Sequence, residues 1–399
     1  MQKRNKEGVY MNIINSAKEI QNFLQDIRRE LHQYPETSRN EKRTSEVIVR
    51  ELKKLGNFEI KENINGYGII ADLKGKYPGK TVALRADMDA LQIEEETSLP
   101  YKSLNKGIMH ACGHDNHVTM VLGAGILLSK YQNELHGNVR LIFQPAEELS
   151  PEGGAKGMIR EGALEGVDAI FGMHVWPDLP LGKVGLKVGS LMAASDHFTV
   201  TIKGKPSHAA KPNEGIDAVV AGAQFVSAAQ TIVSRNSDPI KALVITIGKI
   251  IGGSRYNIVA GECILEGTCR TFSPEIRNLA ERRLEEVLNG ICSLSGCTGE
   301  LNYERGYMAV DNNPEMTEYM SNNIRSLFGE DALVNVEPAM TAEDFSFYLN
   351  EKPGVLAWIG TTATGEEIFP LHNSHYAPNE DVLWRGSALF TELVLNFNK

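Results

Sequence analysis

The segment Met109-His110-Ala111-Cys112-Gly113-His114-Asp115-Asn116-His117 gathers three histidines, a cysteine and an aspartate into nine residues. Thiolate, imidazole and carboxylate are the donors that bind divalent transition metals. They crowd just before a mostly apolar stretch, 117–130, that reads as a helix. A plainer reading competes: a polar helix start capped by Asp115 or Asn116, with Cys112 a small buried apolar residue. Gln144-Pro145-Ala146-Glu147-Glu148 follows the alternating strand pattern Val139, Leu141, Phe143. Adjacent carboxylates at a strand end can divide labour, one binding metal and one acting as base, although such pairs are also common on exposed helix starts. Gly172-Met173-His174 ends another apolar run, where a lone histidine is more often a hydrogen-bonded structural residue.

The elements that must position these groups alternate. Ile14, Ala17, Ile20, Leu24, Ile27 and Leu31 recur every three or four residues, predicting an amphipathic helix that stops before Pro35. A second helix follows, then strands over 68–73 and 81–86, the helix 117–130, a strand 138–143, a helix near 155–163 and a strand 167–173. Strands alternating with helices predict a largely parallel α/β sheet. In such sheets the ligand site lies beyond the carboxyl ends of the strands. Asp87 and Asp89, Glu147 and Glu148, and His174 all fall at that edge, and the Cys112 segment opens a helix on the same rim.

The pattern changes near Ser195. Strand, helix, two strands, helix and strand occupy 195–204, 215–234, 242–250, 262–272, 274–292 and 299–304. That β-α-β-β-α-β order is a ferredoxin-like α+β domain. The expected architecture is an α/β catalytic domain (1–194 and 305–399) with a smaller domain inserted at 195–304 and a final helix from about 381.

Composition narrows the function classes. A net charge of −10 with interleaved signs disfavours nucleic-acid partners, which need a basic face. Lys3, Arg4 and Lys6 imitate a signal-peptide start, but no continuous apolar stretch follows, and no run of eighteen apolar residues predicts a membrane span. The helical pattern begins only after Met11, which makes Met11 an alternative start. The five cysteines, Cys112, Cys263, Cys269, Cys292 and Cys297, are sparse and odd in number, which predicts a reducing, cytoplasmic compartment.

Arg85-Ala86-Asp87-Met88-Asp89-Ala90-Leu91, His110 to His117, Gln144 to Glu148, Gly172-Met173-His174 and Pro206-Ser207-His208-Ala209-Ala210 occur in this order. Gly252 to Asn257, Gly267-Thr268-Cys269-Arg270, Thr341 to Phe345 and Leu371-His372-Asn373 follow. In this set the chain resembles the M20 family of metallopeptidases and amidohydrolases, in the branch of aminoacylases, hippurate hydrolases and auxin-conjugate amidohydrolases. The resemblance runs from near residue 27 to near 390. It implies Cys112, His114, Glu148, His174 and His372 as ligands of two divalent ions, zinc or manganese first and cobalt as a further candidate. It places the general base on Glu147, an oxyanion donor on His208 and carboxylate-binding groups on Asn257 and Arg270. The broader family has His-x-Asp where this chain reads Asp87-Met88-Asp89, so Asp87 and Asp89 are expected to support the ligands rather than bind metal.

By the same resemblance the substrate is a small N-acyl amino acid or related amide, and the inserted domain is a lid that pairs with its copy in a homodimer. A dipeptidase and an N-acetyl-diaminopimelate deacetylase remain alternatives within the enzyme class. A different enzyme class is a cysteine hydrolase using Cys112 with His110 or His114, and outside catalysis stands a binding protein of the same fold, opposed by the presence of every expected ligand and of Glu147.

Overall fold

The computed structural model describes residues 13–399; Lys3, Arg4, Lys6 and the alternative start at Met11 lie outside the described residues. The first amphipathic run is helical over 13–19, turns at Ile20 (φ −94°, ψ 1°), and continues as α1 (Gln21–Gln33). The break does not disturb the pattern, since Ile13, Ala17, Leu24, Ile27 and Leu31 are all buried. Pro35 disfavours helical angles in Tyr34, and α1 ends one residue before it.

The described residues divide into two compact units, one comprising 13–191, 311–337 and 344–399 and the other 192–310 and 338–343. The larger unit continues with α2 (Lys42–Leu55), β1 (Glu59–Ile64), β2 (Gly68–Lys74), β3 (Tyr77–Asp87), α3 (His114–Lys130), β4 (His136–Gln144), α4 (Ala155–Arg160) and β5 (Ala169–Pro180). The short strands β6 (Val184–Leu186) and β7 (Gly189–Met192) follow. Its eight-stranded sheet runs β1-β2-β4-β3-β5-β14-β6-β13, completed by β13 (Leu333–Asn335) and β14 (Gly354–Thr362). β4, β3, β5 and β14 form a parallel centre, and antiparallel strands lie toward the edges.

α3 explains why its sequence is apolar all round. Nearly every residue from His114 to Leu128 is buried, in one core with α1, α2 and α9 (Val382–Asn396). Gly123 and Gly386 permit this packing, because a Cβ at either would lie within 2.2 Å of a neighbouring helix's side chain, Ser387 or Met120. In the parallel centre Asp87 is level with Gln144, and Arg85 with Gly172 two residues before His174. The residues after these strand positions therefore share one rim.

The smaller unit holds β8 (Ala194–Lys203), α5 (Ala218–Thr231), β9 (Leu243–Gly252), β10 (Glu262–Thr271), α6 (Pro274–Ser295) and β11 (Thr298–Arg305). The observed element order is β-α-β-β-α-β, and all pairings in the sheet β11-β8-β10-β9 are antiparallel. Asp217 caps α5 by accepting from the amides of Val219 and Val220, and Ser273 caps α6. Asp196 locks the far side, accepting from the guanidinium of Arg277 and, at 2.7 Å, from the hydroxyl of Tyr303.

One buried carboxyl in the larger unit lacks a cationic neighbour close enough to balance it. Glu392 on α9 is 1% exposed and accepts from Asn396 Nδ2, and burial pushes its carboxyl up to about 7. The folded state therefore holds a proton that the unfolded chain has released between about pH 4.5 and 7, so this group lowers stability as pH rises through that window. Glu392→Gln is expected to raise Tm at pH 8, by an amount equivalent to about 1–3 kcal/mol, and to give little gain at pH 4.5. Thermal unfolding of both proteins across that range checks it. A gain independent of pH would contradict the assignment.

Candidate metal centre

The cysteine-histidine segment ends in a sharp entry to α3. Gly113 occupies the position before the helix with φ +84°, a left-handed conformation that favours glycine. A Cβ there would lie 2.4 Å from Val175 Cγ2, which leaves glycine as the residue that fits. The helix thus begins at His114, and neither Asp115 nor Asn116 is its cap. Cys112 is left beside the positive end of a helix axis, a favourable place for a thiolate.

The five expected ligands converge. Cys112, His114 and His174 form one group whose donor atoms lie within 4.8 Å of one another; Cys112, Glu148 and His372 form a second, and His114, Glu147 and Glu148 a third. Cys112 Sγ is 3.4 Å from His174 Nε2, and Glu148 Oε1 is 3.3 Å from His372 Nε2 and 3.9 Å from His114 Nε2. His174 is not the end of its strand, as the sequence pattern suggested. β5 runs on to Pro180 because β14 pairs with it past the point where β3 stops, from His174 opposite Trp358 onward. His372 is presented by a turn in which its φ is +65° and its amide donates to Ala111 O at 2.9 Å.

The donor set fits divalent cations better than it fits itself. His114 Nε2 and Glu148 Oε1 are buried with no hydrogen-bond partner among the described residues. Burial, reinforced by the carboxylates of Glu148, Glu147 and Asp87, pushes the Cys112 thiol well up. Burial and the nearby His117 push His174 well down. At His114 burial opposes protonation, but Asp87 above all, with Asp89 and Glu148, outweighs it and holds the imidazole up to about 10. Positive charge in the middle of the cluster would reverse the shifts of Cys112 and His114, deprotonating both, and would reinforce the neutral form of His174.

Surrounding carboxylates hold the donors in place. Asp89 accepts from the amides of Glu147 (3.1 Å) and Glu148 (3.0 Å) and from Ser38 Oγ, and its Oδ1 lies 3.3 Å from His114 Nδ1. Asp87 binds His117 Nδ1 at 2.6 Å and Arg85 Nη1 at 2.6 Å. His117 also accepts from Val175 N through Nε2, so both of its ring nitrogens are engaged and neither is open to a metal. Arg85 reaches on to Gln144 and to Asp344, whose carboxylate also takes the amides of Gly154 and Ala155. Asp344 N donates to Glu147 Oε1 at 3.3 Å. Ala146, just before the glutamate pair, has φ +59°, a conformation costing an alanine roughly 1–2 kcal/mol.

Sequence alone assigns no role to several of these supports: Arg85 and Asp344 lie in the quoted motifs without one, and Glu41, whose Oε1 accepts from Ala146 N at 2.8 Å, lies outside them. Their signal was weak: a charged residue inside or next to an apolar stretch, with partners up to 259 residues away. His32 proves buried, in an ion network with Asp115, Glu95 and Arg28. His136 stacks on Tyr77, His197 lies near Glu304, and the exposed His375 packs against Phe369.

The remaining expected site residues belong to the smaller unit. His208 is exposed on a turn; its Nδ1 accepts from Ala210 N at 3.0 Å and its backbone bridges to Ile258. Asn257 is the neighbour of Ile258, its carbonyl accepting from Ala209 N, while its buried Oδ1 has no hydrogen-bond partner among the described residues. Arg270 lies on β10 between Ser195 and Val244, and burial pulls its guanidinium down.

Comparison with known proteins identifies the family. Residues 83–396 match the model of peptidase family M20/M25/M40. An N-acetyl-L-cysteine deacetylase of Bacillus subtilis is 42% identical over 342 residues, covering 86% of this chain and 81% of the relative. Thermostable carboxypeptidase 1 of Saccharolobus solfataricus is 38% identical, covering 96% and 98%. A crystal structure of a dinuclear metal-binding M20 peptidase from Bacillus subtilis superposes with a TM-score of 0.84 at 35% identity, covering 96% of this chain and 99% of that one. With a family model spanning nearly four-fifths of its length and relatives at this identity, the chain belongs to peptidase family M20/M25/M40.

Proposed function

We propose that this protein is a metal-dependent amidohydrolase that cleaves the acyl group from N-acyl amino acids. Cys112, His114, Glu148, His174 and His372 would hold two divalent ions, zinc or manganese, and Glu147 would be the general base. The observation that carries this reading is the convergence of five donors in overlapping groups that share Cys112, with buried atoms, His114 Nε2 and Glu148 Oε1, that have no hydrogen-bond partner among the described residues. Relatives named as a deacetylase of N-acetyl-L-cysteine and as a carboxypeptidase support the substrate class. Both names imply an amide nitrogen on a carbon that bears a free carboxylate. Asn257 and Arg270 suit that carboxylate.

When bound, the ions supply Lewis acidity, favouring deprotonation of the attacking water and polarising the amide carbonyl. The protein does the rest. Glu147, aligned by the amide of Asp344 and by Asp89 at its own amide, takes a proton from the attacking water and delivers it to the leaving nitrogen. His208 donates from Nε2 to the oxygen that gains charge, its Nδ1 being occupied as an acceptor. No acyl-enzyme is needed. A Cys112 nucleophile is disfavoured because burial raises its thiol while His174 beside it resists protonation.

The smaller unit would pair with its copy in a homodimer. β9 is an open edge of its sheet, and Ile250 and Ile251 on it are 50% and 56% exposed. Val219 and Val220 on α5 are exposed as well, and Val219 packs close to Gly252 at the end of β9. An apolar strand edge of this kind invites pairing or aggregation unless it is covered. No helix among the described residues is long and apolar enough to cross a membrane. All five cysteines are free and buried, which supports a cytoplasmic location.

Three measurements test this reading. Chelation is expected to abolish hydrolysis of N-acetyl amino acids, and zinc, manganese or cobalt to restore it, with two ions bound per chain by elemental analysis. Activity untouched by exhaustive chelation would rule the metal mechanism out. Glu147→Gln is expected to retain both ions and to lower kcat by a factor on the order of 10² or more; a variant with normal kcat would remove Glu147 as base. Finally, if His208 serves the partner's site, mixing inactive His208→Ala with inactive Glu147→Gln should restore activity, because exchanged dimers contain one intact site. Verified subunit exchange without recovery would place His208 in its own chain's site.

A further inference from the structure

The turn between β4 and α4 carries both Glu147 and Glu148, and it is folded against local preference. Ala146 sits in the left-handed region at φ +59° and is fully buried. Eight residues later the turn doubles back so closely that a Cβ on Gly154 would meet Pro145 O at 1.7 Å. Backbone strain of this kind persists only where the surroundings over-determine it. Asp89 takes the amides of Glu147 and Glu148, and Asp344 takes those of Gly154 and Ala155. The amide of the strained residue itself goes elsewhere, to Glu41 Oε1 at 2.8 Å.

Glu41 is an unusual residue to find there. It immediately precedes α2, is 0% exposed, and has no cation bonded to it among the described hydrogen bonds and ion pairs. Its side chain makes no capping hydrogen bond to α2, so helix initiation does not explain its burial. Burial, with the charge of Asp89 nearby, pushes its carboxyl up to about 7. Its carboxylate takes backbone N–H groups, those of Arg39 and of Glu41 itself and, at 2.8 Å, that of Ala146, which is 105 residues distant and is the left-handed alanine beside the proposed catalytic pair.

We propose that Glu41 is a positioning residue for the amide hydrolysis: by holding the amide of Ala146 it fixes the left-handed turn that aims Glu147 and Glu148 at the metal centre. The assignment rests on the reading of Glu147 as base and Glu148 as ligand. Glu41 itself touches neither substrate nor metal. Without it Ala146 can relax toward right-handed or extended angles, which rotates the next two side chains. A displacement of about 1 Å in a reacting group is enough to cost on the order of 10² in rate.

The test is a double-mutant cycle between Glu41→Ala and Ala146→Gly, run on metal-free and metal-loaded protein alike. Glycine adopts φ > 0 about as readily as φ < 0, so it removes the strain that Glu41 holds. In the metal-free protein the Tm loss caused by Glu41→Ala is expected to be smaller in the Ala146→Gly background than in the native one. In the loaded enzyme Glu41→Ala should lower kcat about tenfold or more with KM changed far less, and adding Ala146→Gly should recover part of it. Glu41→Gln keeps the accepting oxygen and is expected to stay within a few-fold of native kcat, the rescue a merely space-filling role would not distinguish from Glu41→Met. If Glu41→Ala does not fold, Glu41→Asp, which withdraws the oxygen by one methylene, takes its place in the cycle. Additive Tm losses in the metal-free protein overturn the proposal. Glu147→Gln measured alongside separates the two readings: normal kcat there defeats the base assignment, while the metal-free cycle still decides the coupling of Glu41 to Ala146.

Discussion

Asp89 ties the candidate centre together. Its two oxygens accept the amides of Glu147 and Glu148, and one of them faces His114 Nδ1 at 3.3 Å. One side chain just past β3 thereby fixes the turn after β4 and the first residue of α3, elements that share no local sequence. A rotation of Asp89 would loosen a proposed ligand, a second proposed ligand and the proposed base in one move. Ser38 pins it from outside. The parallel register makes this possible, because it brings the ends of β3 and β4 level with each other.

Such a tie has an electrostatic consequence. Asp87, Asp89, Glu147, Glu148 and Asp344 lie close together in a largely buried region, where the guanidinium of Arg85 pairs with Asp87 and Asp344. Buried charges are tolerated when they are paired, and Asp344 is thoroughly so, with Arg85, Gln144 and two backbone amides on its oxygens. Cys112 and Glu148 have no such arrangement, and the raised thiol and the protonated tendency of His114 record the excess of negative charge. The outer carboxylates are therefore satisfied by the protein, whereas inner donor atoms such as His114 Nε2 and Glu148 Oε1 have no hydrogen-bond partner among the described residues, which suits a cation. This division is what separates a metal centre from an ordinary buried ion network such as Arg28, Asp115, His32 and Glu95.

How much of this was legible in the sequence follows from which forces are local. Apolar periodicity located α1, α3, β4 and the whole β-α-β-β-α-β unit, because burial of one face or one whole segment writes itself into residue spacing. The expected donors drew attention because chemistry restricts their types. β6 and β13, three residues each, carry no period long enough to recognise. The supports were silent for another reason. Arg85, Glu41 and Asp344 look like ordinary charged residues until the fold buries them and pairs them with groups 59 to 259 residues distant. His174 was placed at a strand end because the apolar run stops there, whereas the ladder with β14 carries the strand six residues further.

The histidines show why residue type alone does not assign a role. In each, the bond made by one ring nitrogen decides what the other can do. His174 gives Nδ1–H to Val175 O at 2.7 Å, leaving an Nε2 lone pair directed at Cys112. His117, three residues past His114, spends Nδ1 on Asp87 and Nε2 on Val175 N, and so serves as a strut between β3 and β5. His208 accepts through Nδ1 from Ala210 N, which places its proton on Nε2 and makes it a donor. Backbone amides and carbonyls of neighbouring strands and turns thus sort chemically identical side chains into a proposed ligand, a strut and a proposed donor. The sorting depends on register and turn geometry, so within each unit the fold sets which ring nitrogen of a histidine is left free.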